Sequence, residues 1–205
     1  MAEDLPQLYL ISPPQVDQAF VERLGPLLDV HPVACLRLAL ATRDEDRLLR
    51  ACDGLRAVTE PRDVALVIAD HWKLAQRAGL DGVHLGDGSR QVKRARADLG
   101  ADAIVGAYCG ASRHDGMTSA EMGADYVAFG PVGGPDLGDE MAQDDLFQWW
   151  SEVIEIPVVA EGGLDAAALA RLATTADFVA LGEEVWSAPD PSARLGTLLA
   201  ALSGG

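Results

Sequence analysis

Short runs rich in Val, Ile and Leu return along the whole chain, at residues 8–11, 33–38, 64–68, 82–85, 103–107, 126–129, 157–160 and 178–181. Their hydrophobicity is continuous rather than alternating. That suits strands covered on both faces, as in a parallel sheet packed under helices. The stretches between them, such as 43–58, 91–99 and 166–173, carry apolar residues at the three- and four-residue spacing of amphipathic helices. Eight strand–helix units in 205 residues predict an α/β fold, a single (β/α)8 TIM barrel, which needs about 200 residues or more. A doubly wound open sheet would give a similar pattern, but eight evenly spaced units favour closure. No low-complexity tract or linker divides the chain, so residues 1–205 read as one domain.

Composition narrows the function classes. With 49% hydrophobic and 23% charged residues the chain has the makings of a globular core, and no apolar run approaches the roughly 20 residues that cross a bilayer. A formal net charge of −16 argues against nucleic acid as a partner, because phosphate backbones are bound by clustered Lys and Arg. The acidic start, MAEDL, lacks the basic flank of a secretory signal, so a cytoplasmic location is expected. Cys35, Cys52 and Cys109 are odd in number and show no CxxC spacing, which points to neither a disulfide framework nor a zinc site. Cys35 and Cys109 fall in apolar surroundings and read as small core residues. Trp149, Trp150 and Trp186 offer either a patch for self-association into a homo-oligomer or ordinary core packing.

If the barrel closes, function belongs to the loops that follow the strands. Glycines mark several strand ends, among them Gly86, Gly130, Gly162-Gly163 and Gly182. The residues to weigh there are Arg37, Asp70, His84 with Asp87, Tyr108, the 130–140 loop, Glu161 and Glu183. An arginine inside CLRLAL needs an anion, supplied by a ligand in the cleft or by an ion pair inside the barrel. Asp70 could serve a site or cap the helix that follows it. The amides of Gly162 and Gly163 could bind an anion at a helix start.

The segments LYLIS (8–12), CLRL (35–38), VIAD (67–70), AGLDGVHLGD (78–87), GADYVAFGPV (123–132) and IPVVAEGGL (156–164) occur in the order and spacing of one superfamily. The chain resembles the thiamine phosphate synthases and thiazole tautomerases over essentially its whole length. The resemblance implies a barrel that joins an aminopyrimidine diphosphate to a thiazole phosphate and releases pyrophosphate, with small-molecule thiamine precursors as partners. It implies Arg37 as a diphosphate contact and Asp70 as a ligand of Mg²⁺. Asp87 is a second candidate metal ligand, two residues before the family's metal position, which is Ser89 here. Tyr108 stands where a small hydroxyl residue is usual, and Gly130, Glu161, Gly162, Gly163 and Gly182 fall on ligand-binding segments. His84 is expected to pack or hydrogen-bond inside the barrel.

Several positions depart from the family pattern. Ala39 and Ala69 replace a lysine and an asparagine. Pro135 and Gly138 replace a threonine and a lysine in a loop that has gained carboxylates, and Glu183 falls near the expected phosphate oxygens. Three readings follow: a thiamine phosphate synthase, a degenerate barrel that binds a thiamine precursor in a regulatory or partner role, or an enzyme of altered specificity acting on an unphosphorylated or cationic ring.

Overall fold

The structure, a computed structural model, describes residues 5–133 and 140–203. Eight parallel strands form a closed barrel in sequence order: β1 (Gln7–Ile11), β2 (Val33–Leu38), β3 (Ala65–Ala69), β4 (Gly82–Leu85), β5 (Ile104–Tyr108), β6 (Tyr126–Phe129), β7 (Val158–Glu161) and β8 (Phe178–Leu181). Closure is made by β8 returning to β1, with Leu8 opposite Val179 and Leu10 opposite Leu181. The helices are α1 (Gln18–Val30), α2 (Glu45–Thr59), α3 (Trp72–Ala78), α4 (Val92–Leu99), α5 (Arg113–Glu121), α6 (Asp144–Val153), α7 (Ala166–Leu172), α8 (Glu183–Trp186) and α9 (Pro191–Leu202).

The continuous hydrophobicity of the strands has the cause the sequence suggested. Alternate residues point to opposite faces, and both faces are buried. Leu36, Leu66, Val105, Val127 and Val158 pack outward under the helices, whereas Tyr9, Cys35, Val67, Tyr126, Ala128, Val159 and Ala180 fill the barrel interior. Three strands end one residue later than the apolar runs do, at Ala69, Tyr108 and Glu161. Tyr108 and Glu161 are therefore strand residues, and each lies two positions after an inward-facing one, so their side chains enter the barrel mouth.

Two sets of carboxylates set the ends of the elements. Asp17, Asp44, Asp165 and Asp190 cap α1, α2, α7 and α9, each accepting from the backbone N–H three residues on. At the opposite end of the barrel, the residue before each of β4, β6 and β8 is an aspartate that reaches the preceding strand. Asp81 accepts from Leu66 N–H at 2.6 Å, Asp125 from Val105 N–H at 2.7 Å and Asp177 from Val158 N–H at 2.8 Å.

The tryptophans pack inward. Trp150 is fully buried against Phe129 and donates to Ile156 O, and Trp186 meets Phe20 edge-on and donates to Ile11 O. Arg113 lies 4.9 Å over the ring of Trp149. They form part of the packing under the loops rather than an exposed patch. No helix among the described residues is long and apolar enough to cross a membrane.

Candidate active site

The barrel interior carries a continuous polar chain. His84 Nδ1 lies 2.9 Å from the hydroxyl of Tyr126, which lies 2.9 Å from the hydroxyl of Tyr9. The ring of Tyr9 is 5.7 Å from the guanidinium of Arg37. Gly106 makes room for this chain, since a Cβ there would stand 2.0 Å from the Tyr126 ring. Burial, with the charge of Arg37 in support, pushes His84 well below its ordinary pKa. Burial likewise raises Tyr9, Tyr126 and Cys35, the last to about 12. The chain is therefore uncharged up to Arg37, and His84 serves the barrel interior as the sequence anticipated.

Arg37 ends the chain in a two-pronged pair with Glu161, at 3.0 Å and 3.3 Å. Burial is the largest single influence and disfavours its charge, but the charge and hydrogen bonds of Glu161, together with Tyr9 and Tyr126, outweigh it and hold the guanidinium above its ordinary pKa. Of the two anions that the sequence allowed Arg37, the structure supplies the interior one. The pair links β2 to β7 across the barrel and forms the floor of the mouth.

Asp70 follows β3 with φ of 61°, a left-handed conformation uncommon for residues other than glycine and asparagine-like ones. It does not cap α3. The N-cap there is His71, with no side-chain hydrogen bond, and the Asp70 carboxylate instead accepts from Gly86 N–H at 2.7 Å. Asp87, the next residue along, accepts from Gln91 at 2.7 Å through Oδ2, while its Oδ1 is buried with no hydrogen-bond partner among the described residues. Asp70 and Asp87 thus sit on the neighbouring ends of β3 and β4, Asp70 lining a cleft with Arg43, Arg77 and Arg94 and Asp87 lining another. Two carboxylates with an orphaned oxygen suit a hard cation that takes its other ligands from substrate phosphate and water. Among the described residues no group of three such ligands exists.

One cleft opens on the Asp87 side of this edge, and a second lies across the mouth beside β1, β7 and β8. One, of 720 Å³, is lined by Asp87, Ser89, Arg90, Tyr108, Ser112 and Gly130 among others. The Tyr108 hydroxyl donates to Gly130 O at 2.6 Å and spans its inner wall. The sequence candidates Pro135, Asp136, Gly138 and Asp139 lie outside the described residues. The other cleft, of 510 Å³, is lined by Ile11, Ser12, Glu161, Gly162, Gly163 and Gly182, with Glu183, Glu184 and Trp186.

The second cleft holds the anion cradle. Gly162 and Gly163 have φ of 83° and 70°, and a Cβ on Gly163 would stand 1.9 Å from Gly133 O, so only glycine fits this interlocked pair of loops. Their turn aims the N–H groups of Gly163 and Leu164 at one point, which Gly182 N–H reaches from β8. A carboxylate already stands there. Glu184 accepts from Gly163 N–H at 2.9 Å and Leu164 N–H at 3.3 Å through Oε1, and from Gly182 N–H at 2.9 Å through Oε2. Glu183, expected near this point, is an exposed residue of the first turn of α8 on the rim of the same cleft, and its carboxylate does not fill the cradle. Glu184 is absent from the sequence candidates; the available signal was a carboxylate two residues after a strand-end glycine, within reach of that glycine's own amide.

Comparison with known proteins places this geometry. A family model described as thiamine monophosphate synthase matches residues 8–185. The chain is 43% identical over 188 residues to a thiamine-phosphate synthase of Rhodospirillum centenum, covering 89% of this chain and 90% of that one. It is 41% identical to one of Erythrobacter litoralis, covering 91% of each. Among solved structures, thiamine phosphate pyrophosphorylase from Pyrococcus furiosus superposes with a TM-score of 0.83 at 22% identity, covering 96% of this chain and 95% of that one. The chain, a thiamine phosphate synthase-like protein of thiamine biosynthesis, belongs to the thiamine monophosphate synthase family.

Proposed function

We propose that the chain catalyses the condensation characteristic of its family, joining an aminopyrimidine diphosphate to a thiazole. The bond between the pyrimidine methylene carbon and the diphosphate oxygen breaks, its electron pair leaving with pyrophosphate. The ring nitrogen of the thiazole then supplies the pair for the new C–N bond. The observation that carries this reading is the placement of Asp70 and Asp87 on neighbouring strand ends, with a buried Asp87 oxygen that no group among the described residues satisfies.

In this reading the diphosphate occupies the cleft lined by Asp87, Ser89, Tyr108 and Gly130, and the thiazole occupies the cleft lined by Glu161, Gly162, Gly163 and Gly182. Mg²⁺ held by Asp70 and Asp87 would neutralise charge that builds on the leaving diphosphate. Asp70 is held for that role by the Gly86 amide. Arg37, paired with Glu161, presents a neutral floor beneath the reacting carbon and keeps the mouth from collapsing. Tyr108, which donates to Gly130 O in the lining of the first cleft, limits water near the cationic carbon. Three buried free thiols fit a reducing compartment, consistent with work in the cytoplasm.

A specific pair of observations favours a second reading. Arg37 is neutralised by Glu161 and the amide cradle is filled by Glu184, which fits a barrel that binds a thiamine precursor without turning it over. Purified protein incubated with aminopyrimidine diphosphate, magnesium and either thiazole phosphate or the dephosphorylated thiazole alcohol separates the two. Pyrophosphate release that depends on the thiazole supports the enzyme. Calorimetric binding of a precursor with no pyrophosphate release from either mixture overturns it in favour of the binding barrel.

A further inference from the structure

A third cleft, of 510 Å³, lies between α2, α3 and α4. It reverses the charge balance of the molecule. Four of the chain's 16 lysines and arginines line it, Arg43, Lys73, Arg77 and Arg94, against two of its 32 carboxylates, Glu45 and Asp70. Both carboxylates are already engaged, Glu45 with Arg77 and Asp70 with the Gly86 N–H at 2.7 Å. Arg43 and Lys73 are exposed, and neither makes an ion pair among the described residues. The guanidinium of Arg94 lies 5.8 Å over the ring of Trp72, a buried residue that donates to Asp98 at 2.9 Å and so gives the arginine a fixed platform. Elsewhere the arginines of this acidic chain take carboxylate partners, as Arg62 does with Asp29 and Arg171 with Asp144. Three cations left facing one concave site repel each other and focus a positive potential that a multiply charged anion relieves.

We propose that this cleft binds a polyphosphate, the di- or triphosphate group of a small molecule, at a site separate from the two clefts of the condensation. Its cations fall outside the segments that carry the family resemblance, and none of them lines either of those clefts. The volume lies within the range of about 300–1,000 Å³ that holds small ligands. Guanidinium forks bind phosphate oxygens in pairs, and the Lys73 ammonium adds a mobile point charge. A single phosphate carries too little charge to answer three cations, whereas a chain of two or three phosphates matches them. Free pyrophosphate and nucleoside triphosphates both offer that chemistry. The inference does not rest on the proposed function.

The test is made by calorimetry at low ionic strength, without magnesium or the condensation substrates. Inorganic phosphate, pyrophosphate and ATP are titrated into the wild-type protein, Arg43→Ala, Lys73→Ala, the double variant and Glu45→Gln. Pyrophosphate and ATP should bind the wild-type protein at least about tenfold more tightly than phosphate does. Each single alanine variant should lose about three- to fivefold in affinity for pyrophosphate, the size of one exposed charge pair, and the double variant about tenfold or more. Glu45→Gln removes a carboxylate from the lining and frees Arg77, so it should tighten binding about threefold. Damage to the fold would not produce that gain. ATP binding about tenfold tighter than pyrophosphate identifies a nucleotide as the ligand, and equal binding identifies the phosphate chain alone. Pyrophosphate affinity unchanged in the double variant places the anion elsewhere and overturns the proposal, as does failure of the wild-type protein to bind either polyphosphate. A glutamate-rich peptide that binds as tightly as pyrophosphate and depends on Arg43 and Lys73 also overturns it, in favour of a docking surface for an acidic protein segment.

Discussion

A guanidinium inside a barrel must find an anion, and Arg37 finds one 124 residues away in Glu161. With side-chain exposures of 9% and 14%, removal of one partner strands the other as a buried, unpaired charge. Glu161→Ala should therefore lower stability by about 3–5 kcal/mol, whereas replacing both Arg37 and Glu161 with apolar residues of similar volume should restore most of it. Urea unfolding of the single and double variants measures the difference, and equal losses in both would show that the pair is not the cause. His84 gives a pH prediction. Its folded pKa lies well below the ordinary 6.5, so below that value the unfolded chain binds a proton that the folded chain does not. Stability falls with falling pH, and the contribution of His84 to the slope is at most about 1.4 kcal/mol per pH unit. His84→Asn should flatten the dependence of unfolding free energy between neutral and mildly acidic pH; an unchanged slope would contradict it. Asp87 is the third case. Its orphaned Oδ1 predicts that magnesium raises the melting temperature of the wild-type protein and not of Asp87→Asn. At a hundred times its Kd the ion would contribute about 2.7 kcal/mol. Without magnesium the variant should match or exceed the wild type, because a buried unsatisfied oxygen has lost its charge.

At the scale of elements, the strands are joined in pairs by a repeated device. Asp81, Asp125 and Asp177 each precede an even-numbered strand and bond the first or second amide of the strand before it. The sequence shows the repeat as LDGV, ADYV and ADFV, an aspartate set directly before an apolar run. A hydrogen bond to a charged acceptor contributes about 1.5–3 kcal/mol, so Asp81→Ala should destabilise near the lower end of that range, given its exposure. Chemical denaturation reads it, and a loss within error of zero would show that solvent replaces the carboxylate at Leu66. The strand boundaries show what local pattern conveys and what it misses. Apolar runs locate each strand, but β7 continues through Glu161, a residue no hydrophobic pattern would include. Its place in the strand becomes favourable only because Arg37 faces it across the mouth.

Across the whole molecule, 32 acidic residues stand against 16 basic ones. The exposed pairs, such as Arg113 with Asp145 and Arg171 with Asp144, contribute little each, so unbalanced repulsion dominates the surface. Raising salt from about 10 mM to about 150 mM shortens the screening length from about 30 Å to about 8 Å and should raise the melting temperature; a fall would mean that the surface pairs outweigh net repulsion. The same imbalance reaches the second cleft, where Glu161, Glu183 and Glu184 gather and only Glu161 has a cationic partner among the described residues, Arg37. Alternating apolar runs and amphipathic helices determined the barrel by themselves, because burial on two faces is written into each strand residue by residue. The superfamily's phrases, with their glycine-marked strand ends, likewise determined which loops form the mouth. Only the closed barrel decided that Arg37 meets Glu161, that Asp70 turns to Gly86 rather than capping its helix, and that Glu184 rather than Glu183 fills the cradle. Each of those outcomes depends on atoms brought from different strands to one point, and a hydrogen bond a few ångströms long has no counterpart in local sequence pattern.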